Sequence, residues 1–368
     1  MIKPITLGLV GGGWRAQFYF RIARALPDRF RLAGCVARTE ATRARILTDW
    51  SVPVFQTLDE LLDQNLDFVV TSVPWVESPP LLIELTSRGV PVLAETPPAP
   101  DLEGLIQLSK DLPGNARVQV AEQYPFQPLH AARLALARSG KLGEINQAQI
   151  SVAHGYHGIA LIRKFLNLGC TNAAVQAFEF KSSLIAGPDR QGPPSEERKI
   201  ESVQVVGSLR FGDKLAVYDF TGDQYHSWIR SNRVLIRGDR GEINNFEASY
   251  LTDFQTYLRV RFERQDAGEN GNLEGYYHKG YTAGGDWWYR NPFVSGRLSD
   301  DEIAVATCLS LMAHYLEIGE SFYSLAEASQ DHYLSILIGE AARTGKRLET
   351  LTQIWAGYGA LSGGVALC

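Results

Sequence analysis

The first residues of this sequence whose types and spacing suggest chemistry are Gly11, Gly13 and Ala16. They follow a short apolar run, ITLGLV at residues 5–10, and match the Gly-x-Gly-x-x-Gly/Ala turn between a strand and a helix. In such a turn Gly11 allows the sharp reversal. Gly13 lets a backbone approach a diphosphate, and Ala16 lets helix and strand pack closely. The helix N-terminus adds free N–H groups and the positive end of its dipole. The turn therefore predicts a bound nicotinamide dinucleotide. About 20 residues further on, where a carboxylate would hold a ribose 2′-hydroxyl, the chain reads Cys35-Val36-Ala37-Arg38-Thr39. A guanidinium and a hydroxyl suit a 2′-phosphate better. The expected cofactor is NAD(P)(H) with a lean to NADP; Arg38 simply solvated, or stacked on adenine, is the alternative.

Three polar–aromatic clusters are the next candidates: Asp223 to Arg230 with Tyr225 in it, Tyr276 to Lys279, and Asp286 to Arg290. Aromatic faces beside amide and charged groups suit sugar-like polyols, whose C–H faces stack while their hydroxyls take hydrogen bonds. A core or a subunit interface explains such clusters equally well.

Positioning the glycine turn requires a sheet. After residues 5–10 and a helix from Phe18 to Ala25, the sequence predicts strands at 31–36, 53–55, 68–72, 90–94 and 118–121. Helices at 40–47, 58–62, 79–88 and 102–112 alternate with them. Alternation at this spacing implies a parallel, doubly wound sheet covered on both faces. Beyond about residue 145 the pattern changes to longer alternating strands at 147–153, 174–181, 202–211, 214–221 and 231–237. Phe211-Gly212-Asp213-Lys214 is a hairpin signal, and Arg237 to Gly241 reads as a turn. Residues 187–198 and 265–272 read as polar loops, and 300–317 and 325–344 as amphipathic helices. The expected fold class is α/β: an N-terminal Rossmann domain at 1–123, then an α+β domain at 124–368 with a large, mostly antiparallel open sheet.

Composition narrows the partners. With 45% hydrophobic and 21% charged residues and a net charge of -5, the chain has enough apolar mass for a core and no basic block for nucleic acid. No targeting segment or membrane-length apolar run is visible. Cys35, Cys170, Cys308 and Cys368 are widely spaced and form no CxxC. Free thiols in a reducing, cytoplasmic setting are expected.

Over nearly its whole length the sequence resembles the Gfo/Idh/MocA family, the relatives of glucose–fructose oxidoreductase and inositol dehydrogenase. The resemblance rests on GGGWRA at 11–16, TSVPW at 71–75, VPVLAETP at 90–97, RSGKLGEI at 138–145 and GYHGIALIRKFLNLG at 155–169. LSDDEIAVATCLSLM at 298–312 and SLAEASQDHYLSILIGEAARTGK at 324–346 fit it as well. It implies that Trp14, Arg15, Ser72, Pro74, Trp75, Glu95 and Thr96 join Gly11, Gly13, Ala16, Arg38 and Thr39 around the cofactor. It also implies a homodimer or homotetramer built on the C-terminal sheet.

The catalytic pattern of the family is altered here. Its Glu-Lys-Pro step reads Glu95-Thr96-Pro97, so Thr96 stands for the lysine. Its Asp four residues before a His reads Ala153, with His157 at the histidine position; its Pro-Asn-x-x-His ends in Ser78. Thr96 cannot serve as a base near neutral pH. His157, with Tyr156 and Tyr124, is left to move the carbinol proton, while His154, Arg163 and Tyr225 are the substrate candidates. His154 and His157 without a third ligand predict no metal. Two functions stay open: an oxidoreductase acting on a sugar, polyol or related carbonyl compound, including a lyase or glycosidase with transient oxidation and tightly held cofactor; or a non-enzymatic dinucleotide-binding sensor or transcriptional regulator.

Overall fold

The computed structural model describes residues 3–268, 272 and 275–357. The N-terminal region alternates as β1 (Ile5–Val10), α1 (Ala16–Ala25), β2 (Phe30–Val36), α2 (Glu40–Trp50), β3 (Val54–Phe55), α3 (Leu58–Leu62), β4 (Phe68–Thr71), α4 (Ser78–Ser87), β5 (Val92–Ala94), α5 (Leu102–Asp111) and β6 (Val118–Val120). The six strands pair in parallel in the order β3-β2-β1-β4-β5-β6, the doubly wound arrangement. β4 is buried along its whole length, as its unbroken apolar run requires of a strand covered on both faces. The order reverses between β1 and β4, so the chain ends at Val10 and Thr71 open a crevice there.

The second region contains α6 (Pro128–Arg138), β7 (Ile145–Ser151), α7 (Gly155–Leu166), β8 (Ala174–Ile185), β9 (Lys199–Phe211), β10 (Lys214–Thr221), β11 (Arg233–Gly238), β12 (Gly241–Asn244), β13 (Glu247–Leu251), β14 (Tyr257–Arg261), β15 (Glu263–Ala267), β16 (Tyr277–Ala283), β17 (Asp286–Arg290), α8 (Asp300–Ile318), α9 (Leu325–Thr344) and β18 (Leu348–Glu349). A nine-stranded sheet runs β14-β13-β12-β11-β7-β10-β9-β8-β18. Only its β7–β10 pair is parallel. The expected hairpin is present, with Phe211 opposite Lys214. A further three-stranded sheet joins β15, β16 and β17.

Two apolar cores follow from this layout. One lies under the parallel sheet and is completed from late in the chain, by Ile303, Leu309 and Met312 of α8. The other sits between the large sheet and α7 and α9, around Ile150, Leu161, Leu209 and Leu334. Capping boxes start both late helices, Ser299 with Glu302 and Ser324 with Glu327. Such caps contribute about 1 kcal/mol each.

Several boundaries differ from expectation. The strand expected at 147–153 spans Ile145–Ser151, because residues 152–154 already turn into α7. The strand expected from residue 231 begins at Arg233. The loop expected at 265–272 is overtaken at its start by β15, whose ladder to β16 claims Gln265 to Ala267; residues 269–271 of it lie outside the described residues. The clusters at Tyr276–Lys279 and Asp286–Arg290 largely become β16 and β17 and pack beside α6. No helix among the described residues is long and apolar enough to cross a membrane.

Candidate active site

The glycine turn emerges from β1 at the reversal in strand order. Gly11 donates its N–H to Val36 O at 2.9 Å and has φ 114°. A Cβ there would lie 1.9 Å from Ser72 O, so only glycine fits. A Cβ on Gly12 would meet Thr42 Cγ2 at 2.6 Å, which keeps α2 close. Gly13 is the opposite case: a Cβ would meet nothing within 4 Å, so this backbone faces open space. No side chain caps the start of α1, and Ala16 is fully buried against the sheet. An open glycine backbone beside an uncapped helix N-terminus fits a dinucleotide diphosphate.

The other residues expected at the cofactor divide. Trp14 is half exposed, with its edge on Phe18 and ring centroids 5.1 Å apart. Arg15 turns inward: its Nε donates to Glu95 Oε1 at 2.7 Å and its Nη2 to Gln123 Oε1 at 3.0 Å. Tyr19 Oη also bonds Glu95. Arg15 and Glu95 thus lock α1 to the end of β5. Arg38 is exposed, 3.6 Å from Glu77 Oε1, and Thr39 caps α2 by accepting from Thr42 N. Ser72 donates to Val10 O at 2.8 Å, and Pro74 leads Trp75 into a short 3-10 helix.

Trp75 meets the second group of residues. Its ring lies edge-on to Tyr156, with centroids 6.3 Å apart. Tyr156 and His157 occupy the first turn of α7, at the end of β7. Tyr156 Oη bonds Thr96 and lies 3.3 Å from His154 Nε2. His154 Nδ1 is 2.6 Å from Tyr225 Oη, which also accepts from the His154 backbone N–H at 3.0 Å. Tyr124 closes the group, hydrogen-bonded to Tyr225 and with its ring 4.6 Å from that of His157.

His157 has a buried partner that the sequence motifs did not single out. Its Nδ1 is 2.6 Å from Glu122 Oε2, and both residues are buried. The other carboxylate oxygen, Glu122 Oε1, accepts the backbone N–H of Tyr124 at 3.1 Å. An ionised carboxylate only accepts. Nδ1 therefore carries the proton and Nε2 is left as the basic nitrogen. Burial pushes the hydroxyls of Tyr124 and Tyr156 well above the usual phenol range, so both stay protonated. Partial burial, with His157 and Arg190 adding to it, lowers His154 to about 4 and keeps it neutral.

Arg163 does not join this group. It is buried inside the α7–α9 packing, with Nη1 2.6 Å from Asp331 Oδ1 and 3.1 Å from Glu327 O. α7 turns its side chain away from the Tyr156 end, which corrects the expectation of a substrate contact. His332 was also missed; its ring packs against Trp75 and Tyr156 at 6.3 and 5.4 Å, and its Nε2 donates to Pro100 O. Glu122 carried one signal, a carboxylate just past the last strand of the parallel sheet; His332 and Arg190 carried none that local pattern reads. Among the described residues no group of three or more His, Cys, Asp or Glu is placed to hold a metal ion.

Residues 5–122 match the family model described as "Oxidoreductase family, NAD-binding Rossmann fold". No curated protein sequence matches the chain. Among solved structures, it resembles levoglucosan dehydrogenase in complex with NADH and levoglucosan, with TM-score 0.68, 15% identity, and coverage of 94% of this chain and 99% of that one. It resembles a myo-inositol dehydrogenase from Corynebacterium glutamicum with TM-score 0.64 and 18% identity, covering 95% and 99%. It resembles aldose–aldose oxidoreductase from Caulobacter crescentus, complexed with glycerol, with TM-score 0.63 and 16% identity, covering 94% and 100%. The fingerprint turn, the strand order and the family model agree: residues 5–122 match an oxidoreductase family's NAD-binding Rossmann fold.

Proposed function

We propose that the protein is a nicotinamide-dependent oxidoreductase acting on a sugar, polyol or related carbonyl compound. The observation that carries this reading is the His157–Glu122 pair, buried beside the Tyr156–Thr96 contact and linked through Trp75 to the crevice where the glycine turn opens. In this reading residues 1–123 hold the cofactor and 124–368 the substrate. Gly11, Gly13, Trp14, Ala16, Ser72, Pro74 and Trp75 would line the dinucleotide, with Arg38 and Thr39 at the ribose 2′ position, Arg38 favouring NADP.

A bound nicotinamide would supply the hydride donor or acceptor. His157 Nε2 takes the carbinol proton, or returns it in the reverse direction, and Glu122 holds the ring in the required tautomer and stabilises the imidazolium that forms. Glu122 thus stands in for the absent carboxylate at position 153. Tyr156 stays protonated, so it donates a hydrogen bond to the reacting oxygen rather than abstracting its proton. Tyr124, Tyr225 and neutral His154 offer the mixed donors and acceptors that hydroxyl-rich ligands need. The enzymes of known structure named above act on such compounds by their names, which supports the substrate class.

The test is nicotinamide absorbance change with NAD and NADP across a panel of sugars, polyols and their oxidised forms. Turnover on one of them that His157→Asn reduces is expected. Tight dinucleotide binding without turnover on any compound would instead support the sensor reading. The proposed homodimer or homotetramer is supported by Phe178 and Phe180, which project on one side of β8 with 57% and 55% of their surface exposed. Phe178→Glu with Phe180→Glu should shift the sedimentation coefficient to that of a monomer.

A further inference from the structure

Residues 187–198 join β8 to β9 and reach the glycine turn of the other sheet. The loop is closed at its base by Ala186 N donating to Arg198 O at 2.8 Å. Its tip is a tight turn in which Asp189 and Gly192 exchange backbone hydrogen bonds of 3.0 and 3.1 Å, and Gln191 N donates to Asp189 Oδ1 at 2.7 Å. Gly192 closes that turn with φ 124°, a conformation side chains disfavour. Arg190 is thereby held at the apex. Its guanidinium carbon lies over the Trp14 ring, 4.0 Å from the centroid.

The placement is unusual in what it lacks. Arg190 pairs with no carboxylate among the described residues, while nearby Arg15 is spent on Glu95 and Arg38 sits by Glu77. The carboxylate of Asp189 is occupied by its own turn. The cation–π contact with Trp14 holds the guanidinium in place, and its N–H groups donate to no residue among the described ones. One residue before Trp14 is Gly13, whose backbone faces open space, and two residues after it α1 begins uncapped at Ala16. A planar fork of donors beside exposed backbone N–H groups is the arrangement that grips phosphate oxygens.

We propose that Arg190 is an anion clamp: the tip of the 187–198 loop docks its guanidinium on the dinucleotide diphosphate, from the side opposite the glycine turn. The cofactor is then held between the two sheets, by backbone from one and a cation from the other. This rests on the dinucleotide reading above and adds a residue outside the glycine fingerprint.

Calorimetric titration of the whole chain with NADH, ADP-ribose and adenosine tests it. ADP-ribose keeps the diphosphate without the nicotinamide, and adenosine has neither. Arg190→Met should weaken NADH and ADP-ribose by about ten- to a hundredfold, the usual scale of a charge-assisted hydrogen bond, and leave adenosine unchanged. Arg190→Lys should fall between, since it keeps the charge and loses the fork. Arg190→Met binding NADH and ADP-ribose as the unaltered protein does would overturn the clamp while leaving the dinucleotide reading standing. Equal weakening of adenosine would overturn it too, because the loss would then be unrelated to phosphate. An unaltered protein that binds none of the three would remove the dinucleotide reading itself.

Discussion

His157 and Glu122, 35 residues apart in the chain, meet at 2.6 Å between Nδ1 and Oε2 in a buried position at the ends of α7 and β6. His157→Asn should lower turnover by ~10²–10⁴, the usual contribution of one general base, with dinucleotide affinity nearly unchanged. Glu122→Gln keeps a hydrogen-bonding oxygen but no negative charge, so kcat should fall by ~10-fold or more while KM holds. Steady-state kinetics on the identified substrate checks both. Normal turnover in His157→Asn would refute the assignment.

The two fingerprint glycines should fail in different ways. Gly13→Val puts its Cβ where nothing lies within 4 Å, so the thermal midpoint should stay while dinucleotide binding is lost. Gly11→Ala combines a left-handed φ with a Cβ at 1.9 Å from Ser72 O. It should cost at least the ~1–2 kcal/mol of the strained backbone and lower the melting temperature. Calorimetry of binding and of unfolding separates the two. A Gly13→Val protein that binds NADH normally removes the diphosphate from this turn.

Arg38 is exposed and only loosely paired with Glu77 at 3.6 Å, free to turn toward a ligand. Arg38→Ala should weaken NADP more than NAD by roughly 1.5–3 kcal/mol, since only NADP carries a phosphate for it to meet. Equal loss for both cofactors would leave Arg38 as a packing residue and end the NADP preference.

His154 should be the pH-sensitive member of the cluster. Its pKa is lowered from 6.5 to about 4, so the folded protein resists a proton that the unfolded chain accepts. The resulting stability is full above pH 6.5 and is lost as pH falls toward 4. Urea denaturation at successive pH values should show that loss, and His154→Gln should remove this share of it. A ring titration by NMR with its midpoint near 6.5 would contradict the assignment.

Much of the N-terminal half was legible because its signals are local. The apolar run, the glycine turn and the helix that follows lie within residues 5–25, and alternation of strand and helix leaves few topologies once crossovers must be right-handed. The Glu95-Thr96-Pro97 step and His157 were likewise readable residue by residue as candidates.

What tertiary structure alone decided is where side chains point. Arg15 stands in the fingerprint but turns under it to Glu95, and Arg163 stands in the α7 motif but is spent on Asp331. Glu122 reaches His157 only because the end of β6 and the start of α7 converge, and Arg190 reaches Trp14 only because a hairpin of the nine-stranded sheet leans across to the parallel one. Periodicity records which face of an element is apolar. It does not record which distant group a polar side chain will meet, since that depends on how separate elements pack. Local motifs are therefore legible in the sequence, while the partners of its polar side chains are assigned by the fold.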